Sequence, residues 1–184
     1  HFFKTVGWPE DVVNKDVFLQ EMHKLKTDLF MDIIEAGELE LRPGVARIVD
    51  EAAQEGVILA VCSTSNERAV TLIVEKLLGP ARKKYFRAIL AGDIVSRKKP
   101  DPEIYHLALH TLNLDPKECI VIEDSRNGFL AAKRAGLTCV VTTNPYTENE
   151  DMRGADLVVP ELGDEPHIYV TMEKLKSLID KEAE

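Results

Sequence analysis

Apolar runs along this chain each end in a polar cluster, and the order of those clusters is the tightest constraint on its fold. Residues 57–62 open onto Ser63-Thr64-Ser65-Asn66. Residues 88–91 lead to Gly92-Asp93 and then to Lys98-Lys99-Pro100-Asp101-Pro102, and residues 119–122 end in Glu123-Asp124-Ser125. Segments of helical spacing separate the runs. Pro43-Gly44 starts a helix bearing Val45, Ile48, Val49 and Ala52, and Gly56 ends it, where a left-handed residue costs little. Thr64 and Glu67 have capping-box spacing for a helix to Leu78, stopped by Gly79-Pro80. Further helices are expected from Asp101-Pro102 to Leu112, over 127–135, and after Thr171 with Leu175, Leu178 and Ile179 inward. The remaining strands are expected at 138–143 and 156–159. The runs are rich in Val and Ile without clean polar alternation, as in strands covered on both faces. The whole pattern predicts an α/β fold, a parallel sheet with helices on both sides.

Residues before Leu41 differ. Val17, Leu25, Leu29, Ile33 and Ile34 recur at helical spacing, Gly37 is a stop, and no strand signal precedes Leu41. This is a helical piece too short to bury a core alone. The length of 184 residues suits one domain with such an appendage. A net charge of −9 argues against nucleic acid or an acidic membrane as partner, since either needs a basic face. No stretch reaches the length of a membrane span. The three cysteines, Cys62, Cys119 and Cys139, each lie in or beside a strand-type run. They read as buried small hydrophobes, and their spacing gives neither a disulfide framework nor a zinc site. A reducing compartment follows, the cytoplasm or a plastid stroma.

In a parallel sheet the carboxyl ends of neighbouring strands share one rim, where ligands bind. Ser63, Thr64 and Asn66 sit where a strand turns into a helix, so outward N–H groups and hydroxyls can cradle a phosphate there; the alternative is that Thr64 or Ser65 only caps the helix. Lys99, held out of helical geometry by Pro100, can neutralise a phosphoryl group as a point charge; the alternative is a solvated basic loop with Arg97 and Lys98. Glu123 and Asp124 close a buried strand, which is costly unless a cation compensates them. Mg2+ suits one or two such acids; the alternative is that Asp124 caps the next helix, a task Ser125 can also perform. His23, Lys24 and Lys26 lie on the first helical piece, as a solvated face or as ligands for a substrate. His106 and His110 are four apart, but no carboxylate is placed to complete a metal site.

Taken in order, these clusters resemble the motifs of the haloacid-dehalogenase-like (HAD) hydrolases. Ser63 matches the Ser/Thr after the second motif's strand, Lys99 in Lys-Pro-Asp-Pro-Glu-Ile-Tyr the lysine before proline, and Glu123-Asp124 in Val-Ile-Glu-Asp-Ser-Arg-Asn-Gly the acid pair. Cys-Ser-Thr-Ser-Asn-Glu, Leu-Arg-Pro-Gly-Val and His-Lys-Leu-Lys-Thr-Asp-Leu-Phe look more narrowly like the CbbY-type sugar-phosphate phosphatases, relatives of β-phosphoglucomutase. The resemblance implies a Rossmann-like core at 42–184 and the C-terminal part of a helical cap at 1–41. It implies a Mg2+-dependent phosphatase of a sugar phosphate or bisphosphate such as xylulose-1,5-bisphosphate, working through an aspartyl-phosphate. In that scheme Ser63, Lys99 and Asp124 are catalytic, and Asp124 and Glu123 hold the metal. Ser63, Thr64, Asn66, Lys99, Lys26, His23 and Arg42 meet the substrate, Arg42 from the hinge between cap and core.

The chain departs from the family pattern in one respect. The first motif, Asp-x-Asp-Gly on an N-terminal strand, is absent, and it carries the nucleophile and the acid/base. In the family that strand lies mid-sheet, between runs 57–62 and 119–123, so two inner edges are expected to stand unpaired. Together with His1 in place of Met, this leads to the expectation of a fragment whose upstream part carries the nucleophile. A monomer is expected, associated with its own N-terminal segment if that segment is cleaved. A β-phosphoglucomutase-like phosphotransferase shares the same core residues, and a non-catalytic phosphate-binding domain is the reading if the sequence is complete.

Overall fold

The computed structural model describes residues 2–180. It opens with a short helix, α1 (Phe2–Val6), and a long one, α2 (Lys15–Glu35). Asn14 starts α2 by accepting from the amides of Asp16 and Val17 at 3.1 Å. Met31 and Ile34 are its buried residues. Val17, Met22, Leu25, Leu29 and Ile33 stay exposed, so most of the apolar spacing read in this helix has no cover among the described residues. A linker then leads to α3 (Val45–Gln54) and the alternating region: β1 (Leu59–Cys62), α4 (Glu67–Ile73), α5 (Gly79–Lys83), β2 (Phe86–Leu90), α6 (Glu103–Leu112), β3 (Ile120–Glu123), α7 (Arg126–Arg134), β4 (Thr138–Thr142), β5 (Leu157–Val159) and α8 (Met172–Asp180).

Every strand pairing is parallel, and helices cover both sides, as the alternation predicts. On β4 the side chains divide between the faces. Cys139 and Val141 pack with Ile104, Tyr105 and Ala108 of α6 and Phe129, Ala131 and Ala132 of α7. Val140 packs on the other side with Ile48 and Ala52 of α3 and Leu175 and Leu178 of α8. A third cluster joins Val49 of α3 to Val74 and Leu78, over Leu59 and Val61 of β1.

The sheet is in two pieces. β1 pairs with β2, and β3, β4 and β5 form the other piece in that order. Each piece has two open edges, and one in each piece belongs to β1 or β3, the two strands expected to flank the absent one. Ile122 of β3 is exposed, an unusual place for a β-branched residue of a buried sheet. Helices hold the pieces together: α3 contributes to the clusters over β1 and over β4, and α6 packs on both β1 and β4.

Two local readings are corrected. The cap of α4 is Asn66, which accepts from the Ala69 amide at 3.2 Å, rather than Thr64. The preceding loop is tied to the end of β2 instead, through Ser63 N to Leu90 O and Gly92 N to Ser65 O, each 2.8 Å. The helix also does not stop at Gly79-Pro80. It loosens into a π-helical turn at Val74–Leu78, and Gly79, at φ 83°, redirects the chain into α5.

Candidate active site

Three strand ends build the candidate site. Lys99 comes from the loop after β2, stiffened by Pro100 and Pro102. Its ammonium donates to the Cys62 carbonyl at the end of β1 at 2.9 Å and to Glu123 Oε1 at the end of β3 at 2.5 Å. It therefore spans the two pieces of sheet at their carboxyl rim. Ser63 and Asp124 are the next residues along from those two partners. Thus the backbone brings positions 62–63, 99 and 123–124, far apart in the chain, to one rim.

The Lys99–Glu123 pair is largely removed from water, the side chains being 13% and 9% exposed. Tyr105 donates its hydroxyl to the same Glu123 oxygen, and Lys99 Nζ lies 4.8 Å from the Tyr105 ring centroid. The other carboxylate oxygen rests against Gly128, where a Cβ would overlap it. Burial and the Glu123 charge push the Tyr105 phenol well above its ordinary range, so it remains a donor. Burial also pushes the Cys62 thiol up to about 11, against the pull of Lys99 and with a smaller push from Glu123.

Asp124 is exposed at the tip of β3 and enters no hydrogen bond or ion pair among the described residues. Ser125, not Asp124, caps α7 by accepting from the Gly128 amide at 3.2 Å. The acid is therefore available for another task. Among the described residues no group of three His, Cys, Asp or Glu side chains gathers as a metal cage. One free carboxylate beside a second, engaged one fits Mg2+, which keeps several waters and takes few protein ligands.

Beside this point a cleft of about 1380 Å3 opens between α2 and the start of α4. His23, Lys26, Ser63, Thr64, Asn66 and Lys98 are among its lining residues. Ser63 Oγ accepts from the Ser65 amide at 3.2 Å, so the loop is closed on itself beneath the cleft. Lys98 pairs with Asp93 at 2.8 Å, which holds that carboxyl below its usual range. Arg42 is elsewhere. Expected to touch substrate, it is instead bound to Thr142 O and Oγ1 and to the carbonyls of Thr143 and Pro160, at 2.6–3.2 Å. Its guanidinium is occupied by the frame at the ends of β4 and β5. The sequence reading missed Tyr105 and Gly128; both lie inside quoted motifs, but nothing in those strings shows that they converge on one carboxylate.

Strand-end hydroxyls, a lysine and an acid pair share the carboxyl rim of a parallel α/β sheet, where ligands bind in such folds. The chain belongs to the haloacid dehalogenase-like hydrolase family, whose sequence profile matches residues 8–136. It is similar to the CBBY-like protein of Arabidopsis thaliana, 50% identical over 98% of this chain and 58% of that protein. It is also similar to a solved mutant CbbY from Rhodobacter sphaeroides in complex with xylulose-1,5-bisphosphate, with TM-score 0.74 and 39% identity over 79% of this chain and 64% of that one. CbbY from the same organism in complex with phosphate matches with TM-score 0.74 and 36% identity, over 85% and 68%. The chain spans about three fifths of the length of the curated relatives it matches first.

Proposed function

We propose that this chain forms part of a phosphatase that takes a phosphoryl group from a sugar phosphate or bisphosphate, with a xylulose-1,5-bisphosphate-like compound as the leading substrate. The observation that carries the reading is the Lys99 ammonium bridging the ends of β1 and β3, with Ser63 and Asp124 beside its two partners. Residues 42–184 are the catalytic core and residues 1–41 the C-terminal part of a helical cap. The strand between β1 and β3, with the nucleophilic aspartate, comes from sequence upstream of His1, as the open edges and the longer relatives both suggest.

In this reading the aspartate oxygen bonds to phosphorus as the sugar–oxygen bond to phosphorus breaks, and the sugar oxygen takes a proton from the second aspartate. Water then gives a proton to the second aspartate and attacks the phosphorus of the aspartyl-phosphate, breaking its bond to the aspartate oxygen, so that inorganic phosphate leaves and both aspartates return to their starting states. Ser63 Oγ and the Thr64 amide hold phosphoryl oxygens at the rim, and Asn66 orders that loop through the start of α4. Lys99 holds charge developing between nucleophile and phosphoryl group. Asp124 would hold Mg2+, with Glu123 contributing through water; the ion would supply positive charge to the phosphoryl oxygens. His23 and Lys26 face the cleft from α2, placed for the sugar or a distal phosphate. The protein works as a monomer, or with its own cleaved N-terminal segment, in the cytoplasm or plastid stroma. Among the described residues no helix is long and apolar enough to cross a membrane.

The test is phosphate release by the protein including its natural upstream sequence. Xylulose-1,5-bisphosphate and sugar monophosphates are offered with and without Mg2+. Release is expected to need Mg2+ and to fall at least about a hundredfold in Lys99→Ala and Asp124→Asn. An isomerised sugar phosphate without free phosphate would assign a phosphotransferase instead. Full activity in either variant overturns the assigned roles.

A further inference from the structure

We propose that Tyr105 is a positioning residue whose hydroxyl fixes the Glu123 carboxylate, and through it the Lys99 ammonium, at the junction of the two sheet pieces; its effect on turnover rests on the phosphatase reading above. Tyr105 stands in the first turn of α6 and is 4% exposed. The Lys99-Pro100-Asp101-Pro102 loop runs directly into that turn, so tyrosine and lysine share one short, stiff segment. The phenol has one partner, Glu123 Oε1, and Lys99 donates to the same oxygen. Gly128 bounds the carboxylate on the other side. Glu123 is thus boxed by a phenol and an ammonium from the segment leading into α6 and by a glycine of α7.

The ammonium has three N–H donors. Cys62 O and Glu123 Oε1 take two of them. The third is left for a ligand only while the other two stay in place. The Tyr105 ring lies beneath Nζ and a phenylalanine would keep it. The hydroxyl is the part with a separate task. Without it, Glu123 Oε1 keeps a single donor on a side chain with free torsions, and the carboxylate can turn toward the open edge of β3. Lys99 then follows its charge partner and leaves the Cys62 carbonyl.

The experiment uses Tyr105→Phe, which preserves ring and packing. Lys99 is labelled with acetic anhydride and its modification rate read by mass spectrometry, in the 184-residue chain and in the longer protein. The expected result is a severalfold faster labelling of Lys99 in the variant, with Lys133 as an internal control unchanged. In the longer protein, kcat falls about tenfold while KM stays within about twofold, as displacement of a reacting group requires. A purely structural tyrosine would leave Lys99 labelling at the wild-type rate, and that result overturns the proposal. Faster labelling with a wild-type kcat also overturns it, since the positioning would not serve the reaction. If the wild-type protein releases no phosphate from any sugar phosphate, the phosphatase reading fails, while the labelling still decides whether Tyr105 holds Lys99.

Discussion

Arg42 directs its guanidinium at four oxygen acceptors, all on or just beyond β4 and β5. Thr142 Oγ1 passes the contact on, donating to the Glu123 carbonyl at 3.3 Å. Hydrogen bonds from a charged donor contribute about 1.5–3 kcal/mol where both partners are shielded. They are not additive, and Arg42 is only half-buried. Arg42→Ala is therefore expected to lower unfolding stability by about 2–3 kcal/mol in urea titration. Arg42→Lys should recover less than half of that, because an ammonium lacks the fork that reaches several carbonyls at once. The residue type was informative in the sequence, but its destination was not. An arginine after a helical piece reads equally as an anion ligand or as a clamp, and its acceptors lie 100 to 118 positions further on. The positions of Ser63 and Glu123-Asp124 were legible for the opposite reason: they follow strands directly, and a parallel sheet sends such ends to one rim, which Lys99 reaches from the loop after β2.

At the scale of elements, α7 shows where local rules yield to a contact made elsewhere. Gly128 lies within the helix, and alanine there would favour the helix by about 0.5–1 kcal/mol. The Cβ would overlap the Glu123 carboxylate, which Lys99 and Tyr105 hold in place. Overlap wins, so Gly128→Ala is expected to destabilise the chain by about 1–3 kcal/mol. The thermal midpoint would drop, where helix propensity alone would raise it. The strands and most helices were legible within a few residues because their apolar spacing decides them. The start of α4 was not. Thr64 and Glu67 satisfy the capping-box spacing, yet the Ser63–Ser65 backbone is bound to the end of β2, which moves the cap to Asn66. The π-helical turn at Val74–Leu78 was also illegible, since one extra residue per turn leaves no mark in composition.

For the whole molecule, the division of the sheet is the decisive feature. Each apolar run announces a strand, but no run names its neighbour. The family resemblance was what suggested a break between runs 57–62 and 119–123. Hydrogen exchange can read the break directly. β4, paired on both edges and buried throughout, should exchange slowest. Amides of β1 and β3 that face away from β2 and β4 should exchange at least about a hundredfold faster in the 184-residue chain, and become protected when upstream sequence is joined. Equal protection of both edges of β3 in this chain would count against an open edge there.

The junction that follows the linker has a consequence for how the chain is made. Arg42 is held by Pro160, Gly44 by Asp164, and Arg47 by Leu162, Gly163 and Val170. On a ribosome these early residues must wait for their partners until the stretch from Pro160 to Val170 has left the exit tunnel. Long-range closures of this kind come late. Until then α3 lacks these anchors, and nascent chains released before Pro160 lose all of the clasps together.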